Sequence, residues 1–236
     1  MDFSFHTTPS KEKLMVLHFI DEASKYHTAQ IIREGKVNNY SDLGNCHAQD
    51  LIKAISEWAR YMLHPSCLHV DEEGCFHSEQ FKDYCGLKAI EVKMAAGEAH
   101  WQNGIMERHI GTFRELLNKL MLEDSFEGAD NQTIVDSVCE AKNRNGTYNG
   151  TSPSQWLLGR NRHPLIDTSE ASPMITKGSA FEEHLTRRTV AAQQFHAAYA
   201  KNILHMAARA RLRVISEVQA GQLVYYFRRG KKKADR

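Results

Sequence analysis

Between Leu14 and Ile20 the chain reads Leu-Met-Val-Leu-His-Phe-Ile, apolar everywhere except His18, and then stops at Asp21. A half-exposed strand would alternate, so this run predicts a strand buried on both faces. It is far too short for the ~18 apolar residues of a membrane span. A strand covered on both faces needs a packed layer on each side, which points to a sheet between helices.

The flanking text supports a meander. Phe3 and Phe5 alternate with Asp2, Ser4 and His6, a period of two, and Thr8-Pro9-Ser10-Lys11 makes a turn. Tyr26–Ile32 gives a third strand, closed by Glu34-Gly35. From Ala48 the period changes: Leu51, Ile52, Ile55, Trp58, Ala59 and Met62 recur at helical spacing until His64-Pro65. Cys67–Asp71 reads as a short buried strand, Ser78–Cys85 as a helix capped by Ser78, and Lys88–Lys93 as another strand. Met94–Asn103 has no period and reads as a loop. Helices follow over Gly104–Met121, with an apolar stripe of Ile110, Phe113, Leu117 and Leu120, and over Asn131–Arg144. Ser152-Pro153 opens a short helix. Ser169–Ser179 is polar linker, Phe181–Arg211 one long helix, and Gly221–Phe227 a last strand.

Composition adds two constraints. The 236 residues carry a net charge of +1, yet Arg209–Arg236 holds +7 against −6 for the rest. A basic end on a mildly acidic body fits a polyanionic partner, and fits a solubilising tail equally well. Nothing near Asp2 reads as an export signal. Cys46, Cys67, Cys75, Cys85 and Cys139 are therefore expected as reduced thiols, in a nuclear or cytoplasmic and not secreted protein with no membrane partner.

The chemistry lies in carboxylates at element ends. Asp2 lies in the first strand, Asp71 ends the fourth, and Glu107 falls in the first turn or so of the long helix. Burial gives no reason for a carboxylate to end an apolar strand. Carboxylate oxygens are hard ligands for Mg²⁺ or Mn²⁺, and two such ions can clamp the attacking and leaving oxygens of a phosphoryl transfer. Taken singly, each reads better as a surface or capping residue; taken together, the three favour a metal site. Cys67, His69, Cys75 and His77 offer zinc-type ligands, but on a strand read as buried and at unsuitable spacing, so apolar packing of the thiols is preferred.

Thirty-five residues separate Asp71 from Glu107. That spacing resembles the D,D(35)E pattern of retroviral and retrotransposon integrases. Asp2-Phe3-Ser4 resembles the family's first-strand Asp motif, and Asp21-x-x-Ser24-x-Tyr26 the end of its second strand. Gln102-Asn103-Gly104-Ile105-Met106-Glu107-Arg108 is similar to its Gln-x-Gly-x-x-Glu-Arg segment, and Ser152-Pro153 with Leu158-Gly159-Arg160 to a Ser/Thr-Pro…Gly-Arg segment after the core. Glu72-Glu73-Gly74 departs from the usual Asn-Gly or Arg-Gly.

The resemblance implies a ribonuclease H-like α/β fold, a mixed five-stranded sheet flanked by helices. Residues 1–165 would form the catalytic core, 166–211 the linker and long helix. Residues 212–236 would be a basic DNA-binding segment starting a barrel cut short, because Gly221–Tyr226 is similar to that barrel's first strand. Asp2, Asp71 and Glu107 would hold two Mg²⁺ or Mn²⁺ for DNA end processing and strand transfer, in a homo-oligomer on DNA. Asp2 is preferred over Asp21 as first ligand, and Asp21 is expected to point elsewhere. Asn103, Arg108, Arg114 and Lys119 on the long helix, with Arg228, Arg229, Lys231, Lys232 and Lys233, would contact DNA. The family's His-His-Cys-Cys zinc module would lie upstream of Asp2, so the chain is expected to be a piece of a retrotransposon polyprotein. The alternatives are a transposase or nuclease of the same fold, and an inactive fragment that only binds nucleic acid.

Overall fold

The structure is a computed structural model that describes residues 1–71, 74–94, 104–146, 150–159 and 179–209. It is a mixed α/β fold in which helices flank a small sheet. Strands β1 (Asp2–Thr7), β2 (Lys13–Ile20) and β3 (His27–Gly35) form an antiparallel meander in chain order. Asp2 pairs with His18 across β1 and β2, and Ile20 with His27 across β2 and β3. Strands β4 (Cys67–Val70) and β5 (Glu91–Met94) pair in parallel, Cys67 opposite Glu91. Their connection carries α2 (Glu79–Leu87), as a parallel crossover requires.

The two ladders meet at the start of β1, where the Met1 nitrogen donates to the His69 carbonyl of β4 at 2.7 Å. One bond is not a ladder. Among the described residues the sheets therefore number three and two strands, where the sequence predicts a single five-stranded sheet.

The central strand behaves as its composition dictates. Leu14 and Val16 of β2 enter one core with Phe113, Leu116, Leu117 and Leu120 of α3 (Gly104–Leu120) and Val135 and Val138 of α4 (Asn131–Asn145). Met15, Leu17 and Phe19 point the other way, into a second core with Leu51 and Ile55 of α1 (Ala48–Met62) and Phe81 of α2. Phe3 of β1 and Leu68 and Val70 of β4 join this second core. At roughly 1.5–3 kcal/mol for each large apolar side chain withdrawn from water, the run from Leu14 to Phe19 ties both helical layers to one strand.

Helix α5 (Pro153–Leu158) starts at the predicted place, with Ser152 and Gln155 satisfying each other's backbone amides and proline at the first turn. Helix α6 spans Ser179–Arg209 and packs Ala191, Phe195 and Ala198 against the α3–α4 core. By contact density the chain divides at Ala200. The core boundary expected at residue 165, the linker, Gly221–Phe227 and the loop over 95–103 lie outside the described residues.

Candidate active site

The register of the meander sets the geometry. Asp2 is the first residue of β1 and half-buried. Its Oδ1 accepts the Phe3 amide at 2.7 Å. Asp71 directly follows β4, whose His69 carbonyl holds the nitrogen of Met1, so the two aspartates leave neighbouring backbone segments. Glu107 stands in the first turn of α3 and is exposed. The Asp2 carboxyl is held above the usual carboxylate range. Burial is the main cause, and the charges of Asp71 and Glu107 push in the same direction against the Phe3 amide. The charges of Asp71 and Glu107, from two other elements, thus both reach Asp2.

They do not clasp. Among the described residues no three His, Cys, Asp or Glu side chains stand as a ready metal cage. Like charges keep their distance when no cation lies between them, and Asp2 meanwhile bonds its neighbour's amide. The donors nevertheless suit a divalent ion: all are hard carboxylate oxygens, and a cation offsets both the burial and the neighbouring charges that raise Asp2.

A cavity of about 890 Å³ opens beside Asp2, bordered by Trp58, His69, Lys93, Met94 and Met106. Asp21 and Glu22 border it too. Asp21 is expected from the sequence to point elsewhere, and its backbone segment lies at the same edge of the meander as Asp2. Antiparallel pairing brings the end of β2 beside the start of β1, so both residues border one cavity. Their occupations differ. Asp21 Oδ2 accepts the Ser24 amide at 2.7 Å and the Ser24 hydroxyl at 2.6 Å, capping the turn into β3. The carboxylate that ends the apolar run therefore has a structural duty.

The proposed DNA contacts fare unevenly. Arg108 and Arg114 are exposed on α3. Lys119 is half-buried and pairs with Glu115 one turn earlier at 3.1 Å. Asn103, Arg228, Arg229, Lys231, Lys232 and Lys233 lie outside the described residues, as do Glu72 and Glu73.

The strand carrying Cys67 and His69 is not buried throughout. Leu68 and Val70 point inward, Cys67 is half-buried and His69 exposed, the alternation of a strand with one covered face. The Cys75 thiol faces Cys46, and this hydrogen bond, with burial, raises the Cys46 thiol above its ordinary range.

Sequence reading missed a buried polar chain between β1 and α4. Ser4 Oγ lies 2.6 Å from His6 Nε2 and 2.6 Å from His18 Nε2. His18 Nδ1 lies 2.9 Å from His27 Nε2, and His27 Nδ1 lies 2.6 Å from Lys142 Nζ. Lys142 also donates to the His109 carbonyl of α3 at 2.8 Å. Asn143 clamps the His27 main chain, accepting its amide at 2.8 Å and donating to its carbonyl at 2.7 Å. Burial pushes His6 down to about 4, His109 to about 3, and His18 and His27 well below the usual histidine range, with Lys142 adding to the last three. Burial also lowers Lys142 to about 7. The only sequence signal was His18 itself, a polar break in an apolar run.

No protein-family model and no curated protein sequence matches the chain. Solved structures do. A chain of the simian T-cell lymphotropic virus intasome, solved with the PP2A regulatory subunit B56 gamma, aligns over 75% of this chain at 18% identity and a TM-score of 0.56. The alignment takes in 58% of that chain's own length. The HTLV-2 integrase catalytic core domain in complex with magnesium aligns in its dimeric form over 67% of this chain and 92% of its own, at 16% identity and a TM-score of 0.52. Its trimeric form gives 18% identity and the same TM-score, over 66% of this chain and 92% of its own. The fold of this chain is that of the retroviral integrase catalytic cores.

Proposed function

We propose that this chain is the catalytic part of an integrase of a retrotransposon polyprotein, acting on DNA by metal-dependent phosphoryl transfer. The observation that carries the reading is that the charges of Asp71, at the end of β4, and Glu107, in the first turn of α3, both act on the half-buried Asp2 of β1. Those carboxylates would hold Mg²⁺ or Mn²⁺, two ions by the reading of the motif. When bound, such ions activate the attacking hydroxyl and stabilise the leaving oxygen. The chain's own part is placement. β1 and β4 fix two carboxylates on neighbouring backbones, and α3 brings the third on an exposed first turn that can close over an ion.

Arg108 and Arg114 present exposed cations further along α3 and would meet the phosphates that enter the site. Residues 1–165 would form the core, 166–211 the linker and helix, and 212–236 a further basic contact. The two ladders would belong to one five-stranded sheet, with β1 beside β4 as the Met1–His69 bond suggests. The HTLV-2 core was solved as a dimer and a trimer, and the simian relative in an intasome, which supports assembly as a homo-oligomer on DNA. A nuclear or cytoplasmic site of action follows from this role.

The test is nicking and strand transfer on DNA carrying the element's ends, with Mn²⁺. Asp71→Asn and Glu107→Gln should each abolish turnover, with fold and DNA binding retained. Wild-type activity left intact by Glu107→Gln would refute the assignment. DNA binding by a wild type that never cuts would favour an inactive nucleic-acid-binding fragment.

A further inference from the structure

We infer that Lys142, His27, His18 and Ser4 are positioning residues, a hydrogen-bonded chain through the core that fixes the strand bearing Asp2 against the helix bearing Glu107. The inference rests on the proposed function, and adds to it how two of the three carboxylates keep their places.

The argument starts from where the chain ends. At one end Lys142 donates to the His109 carbonyl, two residues beyond Glu107 on α3. At the other end is the Ser4 hydroxyl, two residues beyond Asp2 on β1. Strand alternation puts Asp2 and Ser4 on one face of β1, and the register pairs Asp2 with His18. The chain therefore runs beneath the space between the two carboxylate-bearing elements. Asn143, next to Lys142 on α4, clasps both main-chain groups of His27 and so anchors the middle of the chain to β3. The Phe113 ring lies against His6, His18 and His27, at centroid distances of 5.7, 4.7 and 5.6 Å, and allows them little lateral movement.

Donor and acceptor bookkeeping gives the chain one direction. An ammonium can only donate, so His27 accepts through Nδ1 and carries its proton on Nε2. His27 then donates to His18 Nδ1, which leaves the His18 proton on Nε2, donated to the Ser4 oxygen. The Ser4 hydroxyl donates in turn to His6 Nε2, and His6 keeps its proton on Nδ1. Every bond has one donor and one acceptor, and each tautomer follows from its neighbour's. Lys142 is faced by His27 from β3, His109 from α3 and the Cys139 thiol of its own helix. With Lys142 lowered only to about 7 and the histidines well below that, pH 6 sets this protonation pattern. A buried lysine is a costly way to hold a core together, since apolar replacements of buried charges often stabilise. Its presence is accounted for if what it secures is position rather than stability.

The test compares wild type with Lys142→Met and Ser4→Ala at pH 6. Mn²⁺ affinity is read from the electron paramagnetic resonance of free Mn²⁺, tautomers from histidine ¹⁵N shifts, and folding from circular dichroism. In wild type, ¹⁵N shifts should place the protons on His27 Nε2, His18 Nε2 and His6 Nδ1. Removing either end should weaken Mn²⁺ about tenfold in a folded chain, the usual loss when a group supporting metal ligands is removed. Folded variants that bind Mn²⁺ as wild type does would overturn the inference, as would a His27 proton on Nδ1. If Lys142→Met does not fold, Ser4→Ala decides alone, since it removes one hydroxyl and cuts the tie to β1. Wild type that fails to bind Mn²⁺ would instead refute the proposed function, with the ¹⁵N pattern still deciding whether the chain exists as drawn.

Discussion

Asp2 and Asp21 are two carboxylates at one edge of one meander, and their surroundings give them different work. Asp21 spends an oxygen on the Ser24 amide and hydroxyl, while Asp2 is raised by burial and by the charges of Asp71 and Glu107. The buried bases make the sharper prediction at this scale. His6, His18, His27 and His109 all have proton affinities depressed by folding, so the unfolded chain takes up more protons as pH falls through 6.5. Their neutral forms cost nothing above that value. Below it, stability is lost at about 1.4 kcal/mol per pH unit for each, until the folded value is reached. Lys142, lowered from 10.5 to about 7, acts in the same sense in a higher window: stability rises with pH between about 7 and 10. Urea midpoints measured from pH 4.5 to 9 should therefore climb, steeply below 6.5, and Lys142→Met should flatten the alkaline part and soften the acidic one, since its charge helps to depress His18, His27 and His109. A midpoint that is constant from pH 4.5 to 7 would contradict the burial of these histidines as neutral groups.

At the scale of elements, what could be read from the sequence was whatever has a local cause. Helix α1 runs over Ala48–Met62 as its apolar spacing predicts, and the caps at Ser78 and Ser152 are where the residue types place them. The apolar stripe of α3 is buried as read, with Leu116 beside it. Strand β5 was misplaced. It covers Glu91–Met94, not Lys88–Lys93, because α2 continues to Leu87 and then unwinds through Lys88 and Ala89. That turn uses Ala89 at φ 53°, a left-handed position where glycine is the usual signal. With alanine there, nothing in the sequence announces it. Ala89 is exposed, so Ala89→Gly relieves the strain without opening a cavity. It should stabilise by about 0.5–1 kcal/mol, read as a raised melting temperature. An unchanged or lowered melting temperature would show that the turn carries no strain. The buried chain from Ser4 to Lys142 was illegible for the opposite reason: its members lie on β1, β2, β3 and α4, and no local pattern joins them.

At the scale of the molecule, the sequence divides its charge, with +7 in Arg209–Arg236 and −6 in the rest. If those cations meet phosphates, DNA affinity should fall steeply with salt, by about −0.9 in a log–log plot for each contact. Deleting residues 209–236 should flatten that slope, and an unchanged slope would leave the segment a solubilising role. The overall fold was within reach of the sequence because its strand order and its carboxylate spacing are linear features. The single five-stranded sheet expected from the sequence is not seen among the described residues, whose ladders of three and two strands are linked by the Met1–His69 bond.

The central claim is that Asp2, Asp71 and Glu107 form one metal site. A crystal of the chain grown with Mn²⁺, with the ions located by their anomalous scattering, tests it most directly. The account predicts manganese bound by all three carboxylates, with Asp21 still capping Ser24. Manganese bound instead by Asp21 and Glu22, or by no carboxylate of the three in crystals at millimolar Mn²⁺, would contradict it.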